Sequence, residues 1–244
     1  MRVAVIDSGV DFEHPLVNRP QDAGNGLAIS LDAEGQLVEE RGPHEDLYGH
    51  GTAVAGIIHS LAPEAQITSV RVLGAALTGK AQVFLRGLAW AVEQGFDIVN
   101  LSLSTPKRDW AVSFYEMCDL AYFRKVFVVA SANNNPVVSF PALFSSVASV
   151  GCNPATKPFE FHFNPNPPTE FLARGVDVEV SWLDRKTIRA TGNSFATPHI
   201  AGIAALICSK HPGIRPSELK IDLARHRGQP LCRRCSGRPR SSHG

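Results

Sequence analysis

Five short apolar runs constrain this chain most: Val3 to Ile6, Ile67 to Val72, Ile98 to Leu103, Phe127 to Ala132 and Val147 to Val150. Most are β-branched and bounded by Gly, Pro, Asp or Asn, which reads as strands, and their lack of polar alternation means that both faces are covered. Helical patterns fill the gaps at Ala53 to Leu61, Val83 to Gln94 closed by Gly95, Ala111 to Phe123, and Phe195 to Ser209. Strands alternating with helices are joined by crossovers that lay helices over both faces of a sheet. The expected fold class is α/β, a doubly wound, mostly parallel sheet with helices on both faces. Ligands of such sheets gather beyond the carboxyl ends of the strands, where Asp7 and Asn133 fall.

A chain of 244 residues that is 44% hydrophobic and 19% charged can bury one large core. Its formal charge of +1 fits neither a polyanion-binding nor a disordered protein, so no nucleic-acid partner is expected. No apolar run approaches the roughly 18 residues that span a bilayer, and the opening MRVAVIDSG enters a strand pattern with no signal-peptide features. Three of the cysteines, Cys118, Cys152 and Cys208, sit in or beside apolar runs, where free thiols act as small hydrophobes. A cytoplasmic protein with no membrane partner is the expectation. Residues 153 to 170, rich in proline and aromatics without a period, are read as an irregular surface excursion. The domain is expected to span 1–227, and the basic, Pro/Gly/Ser-rich tail 228–244, with Cys232 and Cys235, to be disordered.

Three clusters carry chemistry. The first strand ends in Asp7-Ser-Gly9; taken alone, such an aspartate is a turn cap. His50, between Gly49 and Gly51, opens a helical segment that enters the core, and those glycines let another group approach the imidazole. Ser194 precedes a helix that is apolar nearly all round, so the helix must be buried and its positive end is aimed at whatever the serine attacks. Glu45 and Asp46 read as a solvated loop ahead of His50.

The segments AVIDSG, GHGTAVAG and GNSFATPHIAG resemble the three signature segments of the subtilisin-like serine proteases, in the same Asp, His, Ser order. The resemblance runs over roughly residues 1 to 225. It implies a subtilisin-like fold and peptide hydrolysis by a catalytic triad of Asp7, His50 and Ser194. It also implies that Asn133, at the end of FVVASAN, donates to the oxyanion. The segment DIVNLSLS is similar to the family strand that pairs with substrate. Ser102, Leu103, Ser104, Ala130, Ser131 and Ala132 are thereby implicated in substrate binding.

The chain departs from the family wording at Asn193, where threonine is expected, at Ala132, which replaces a glycine, and at Ser104-Thr105, which replace two. Ala132 and Ser104 add atoms beside the substrate backbone, which suggests selectivity for small or particular side chains. A peptide or protein substrate, restricted in range or policed by a separate inhibitor or activator, is the expected partner. No metal site and no cofactor are expected: calcium, bound by many relatives, is not indicated because no Asp-rich loop has ligand spacing. A metal reading from His44, Glu45, Asp46, His50 and His59 with Cys232 and Cys235 lacks a second ligand pair near the CxxC. The remaining alternatives are a pseudoprotease that holds a peptide without cutting it and a hydrolase of another acyl bond.

Overall fold

The computed structural model describes residues 1–225 apart from positions 156 and 167. The chain order is β1 (Arg2–Asp7), β2 (Leu27–Leu31), β3 (Leu37–Arg41), α1 (His50–Leu61), β4 (Gln66–Arg71), α2 (Ala81–Glu93), β5 (Ile98–Leu101) and α3 (Ala111–Phe123). It continues through β6 (Phe127–Ser131), β7 (Ala148–Asn153), β8 (Phe161–Phe163), β9 (Phe171–Arg174), β10 (Val178–Ser181), β11 (Thr187–Ala190), α4 (Asn193–Lys210) and α5 (Pro216–Arg225).

Nine strands form one sheet in the order β3-β2-β4-β1-β5-β6-β7-β9-β8, and β10 and β11 form a separate hairpin. Every pairing from β2·β4 across to β7·β9 is parallel, while β2·β3 and β8·β9 are antiparallel and close the two edges. The uninterrupted apolar runs have a simple cause. Val3 and Val5 point into a core shared with α1, α4 and α5, whereas Ala4 and Ile6 point into a second core beneath α2 and α3. This is the doubly wound α/β architecture expected.

Two expectations are corrected. The stretch 153 to 170 is not wholly an excursion: β8 pairs with β9, and Phe161 is fully buried against Phe171 with ring centroids 6.2 Å apart. The run Ile98 to Leu103 is a strand only to Leu101, because β5 lies between β1 and β6 and its pairing with both stops there. No helix among the described residues is long and apolar enough to cross a membrane. The expected tail, 228–244, lies outside the described residues.

Candidate active site

β1 and β5 run side by side at the centre of the sheet, so Asp7 and the segment after Leu101 leave the same end of it. α1 packs against α4, which brings His50 and Ser194, each in the first turn of its helix, to that end as well. The topology thus gathers residues far apart in sequence.

The Asp7 side chain is fully buried and His50 nearly so. His50 Nδ1 and Asp7 Oδ1 are 2.8 Å apart, and the Ser8 backbone N–H donates to the same oxygen at 2.8 Å. A carboxylate can only accept, so Nδ1 carries the hydrogen and Nε2 is left as a base. Burial opposes the imidazolium. The charge and hydrogen bond of Asp7, helped by the charge of Asp46, outweigh that and hold the His50 pKa above the ordinary histidine value. Gly51 permits the approach: a Cβ there would overlap the Gly9 carbonyl oxygen and crowd Asp7. On its other side the imidazole packs on Phe195, the neighbour of Ser194, with ring centroids 5.2 Å apart.

Asp46 corrects the reading of a solvated loop. It is buried and accepts five hydrogen bonds: Oδ1 from Ser8 Oγ at 2.7 Å, Tyr48 N–H at 3.0 Å and Gly49 N–H at 2.8 Å, and Oδ2 from Thr52 N–H at 2.8 Å and Thr52 Oγ1 at 2.6 Å. Ser8 Oγ in turn accepts from Gly51 N–H at 3.0 Å. Together they satisfy the unpaired donors around the start of α1 and set negative charge at its positive end. A carboxylate four residues before a helix start is at capping distance, a signal present in the sequence but outweighed there by its polar neighbours.

Ser194 is held from two sides. Residue 198 is proline, so α4 lacks the N–H that would normally bond the Ser194 carbonyl four residues earlier. The Ser102 hydroxyl donates to that carbonyl instead, at 3.0 Å, and itself accepts from Asn100 Nδ2 at 2.9 Å. Just ahead of it, the Asn193 side chain bridges α4 to the ends of β6 and β7.

The remaining sequence-predicted residues separate into two groups. Ser104, Ala132 and Asn133 are partly exposed where β5 and β6 end. Ser102, Leu103 and Ser131 are buried, and Ala130 is sealed in the core under α2 and α3, where it supports the strand rather than the surface. Asn100 is fully buried within the paired part of β5, so it offers no free edge to a peptide; only the segment past Leu101 lies beyond the ladder. Asn133 Oδ1 accepts from Asn135 N–H at 2.9 Å, which leaves the Asn133 amide NH2 as the donating end. A cavity of about 330 Å3 opens beside it, lined in part by Ala132, Val137, Val138, Ser139 and Ala142.

His44 Nε2 bonds Ser69 Oγ at 2.8 Å and the Asp46 oxygens are already engaged, so the residues of the metal reading do not converge; Cys232 and Cys235 lie outside the described residues. Cys118 and Cys208 are free and buried, and burial pushes both thiols up to about 12.

Comparison with known proteins gives the family and the fold. Subtilisin E of Bacillus subtilis (strain 168) is 32% identical over 228 residues, covering 87% of this chain and 56% of that protein. The subtilisin of Bacillus pumilus is 33% identical over 229 residues, covering 87% of this chain and 78% of that protein. The chain thus spans little more than half the length of the first of these relatives. A crystal structure of a cold adapted subtilisin-like serine proteinase superposes with a TM-score of 0.73 at 24% identity, covering 92% of this chain and 81% of that one, a likeness of fold. Residues 1–226 match the subtilase family, peptidase family S8, and the chain belongs to that family.

Proposed function

We propose that this chain is a serine endopeptidase that cleaves peptide bonds through an acyl-enzyme, with Ser194 as nucleophile, His50 as general base and Asp7 as its orienting carboxylate. The observation that carries the reading is the buried hydrogen bond of 2.8 Å from His50 Nδ1 to Asp7 Oδ1, which commits Nε2 to accept a proton. A serine hydroxyl is a poor nucleophile until such a base removes its proton. Nε2 takes the proton from Ser194 Oγ as Oγ bonds the substrate carbonyl carbon. The oxygen becomes an anion, to which the Asn133 amide and the Ser194 backbone N–H donate. Collapse breaks the C–N bond while the imidazolium passes its proton to the leaving amine. Water then attacks the acyl-enzyme with the same base, releasing the acid and restoring Ser194.

The substrate is an extended peptide lying along Ser102 to Ser104, with one side chain in the cavity beside Asn133. The linings from Val137, Val138 and Ala142 favour an apolar side chain there, and Ala132 limits its bulk. A restricted substrate or a separate regulatory protein keeps such activity in check.

Hydrolysis of extended chromogenic peptides tests the reading. Ser194→Ala is expected to reduce turnover to background while remaining folded. The competing reading, a pseudoprotease, requires the intact folded chain to bind these peptides and cleave none.

A further inference from the structure

Asn193 stands where two segments of the proposed site meet. Its side-chain amide donates to the carbonyl oxygens of Ala132 and Asn133, both at 3.1 Å, and its Oδ1 accepts from the Cys152 N–H in β7 at 2.8 Å. Its backbone N–H donates to Asn134 Oδ1 at 3.0 Å, and its carbonyl accepts from Thr197 Oγ1 at 2.8 Å. One residue therefore ties the first turn of α4 to the exit of β6 and to β7. The two proposed oxyanion donors, the Asn133 amide and the Ser194 N–H, flank this tie directly: one belongs to a residue whose carbonyl Asn193 holds, the other to the next residue in the chain.

We infer that Asn193 is a positioning residue that sets the spacing between the Asn133 and Ser194 donors. This deepens the proposed function and rests on it. An oxyanion hole works only when its donors already stand where the charge develops, and a displacement of about 1 Å can cost on the order of 10² in rate. The Ser194 carbonyl is held by Ser102 whatever stands at 193, whereas the Asn133 segment lies beyond the strand ladder. Asn133 lies two residues beyond the end of β6, and the residues after it, 134 to 138, are exposed. The Asn193 amide reaches two consecutive carbonyls of that segment, fixing its direction as well as its distance, which a threonine hydroxyl with one hydrogen could not do.

The test is a double-mutant cycle in kcat on an extended peptide, using Asn133→Ala, Asn193→Ala and the pair. Asn193→Ala is expected to lower kcat by on the order of 10²-fold with KM changed less than about threefold, and affinity for a peptide boronate should fall in parallel. If Asn193 acts through Asn133, adding Asn193→Ala to Asn133→Ala has little further effect. Losses that multiply in the double variant, or an unchanged kcat in folded Asn193→Ala, overturn the inference. Asn193→Ser, whose hydroxyl is too short to span both carbonyls, is run beside it so that the cycle can be completed if the alanine variant does not fold. Ser194→Ala separates the two levels: retained turnover there defeats the endopeptidase reading itself, whereas a dead Ser194→Ala with multiplicative losses at Asn193 defeats only the positioning role.

Discussion

The buried Asp7 carboxylate holds the nearly buried His50 imidazole across 2.8 Å, and the carboxylate of Asp46 adds its charge from the loop ahead of α1. Burial opposes the imidazolium, and the two charges together with the Asp7 hydrogen bond outweigh it. Proposed catalysis needs neutral His50, so activity is expected to fall as pH drops through a value above the ordinary histidine pKa. Asp46→Asn removes one of the two charges and should move this acid limb to lower pH, which a pH profile of kcat/KM reads directly. The sign for stability is the reverse. A raised pKa stabilises the folded state below the unfolded value, and that contribution is lost as pH rises through the folded value.

Ser102 and Pro198 are coupled through the Ser194 carbonyl. Ser102→Ala leaves that carbonyl without its donor, because Pro198 has no N–H to offer. The expected cost is about 1–3 kcal/mol of stability, together with reduced turnover. In a Pro198→Ala background the restored helix N–H can take the carbonyl, so the same substitution should cost less than about 1 kcal/mol. Denaturant unfolding of the parent, the two single variants and the double variant measures the difference.

His199, buried in α4, donates from Nδ1 to the Phe195 carbonyl at 2.9 Å, and burial lowers its pKa to about 4. The unfolded chain therefore binds this proton near the ordinary histidine value while the folded chain resists it, and stability is lost as pH falls between the two. The loss attributable to His199 is on the order of 3 kcal/mol. His199→Gln keeps a donor but does not titrate. Its unfolding free energy should depend on pH less steeply than that of the parent over this window.

Much of this was legible in the sequence because it rests on local pattern. The five central strands and four of the helices follow from apolar runs that must be covered on both faces. α3 has the expected bounds and α4 begins two residues early, at Asn193. The outer strands β2, β3, β8 and β9 and the hairpin β10·β11 were not legible: they are short and partly polar, and only their pairing defines them. α5 escaped because only one of its faces, at Leu219 and Leu223, is buried. Within the site, Asp7 and His50 could be paired through their motifs. The capping position of Asp46 was encoded in its local spacing but masked by polar neighbours, whereas the Ser102 replacement for a missing helix N–H and the bridge made by Asn193 depend on distances between segments, which no local spacing encodes.

Covalent labelling by a fluorophosphonate, with the modified peptide located by mass spectrometry, tests the central claim most directly. An activated serine reacts, and an ordinary surface hydroxyl does not. The intact chain is expected to carry a single adduct on Ser194, Ser194→Ala none, and Asp7→Asn a rate of labelling several orders of magnitude slower. An intact, folded chain that takes no label, or that carries it on a residue other than Ser194, would contradict the account.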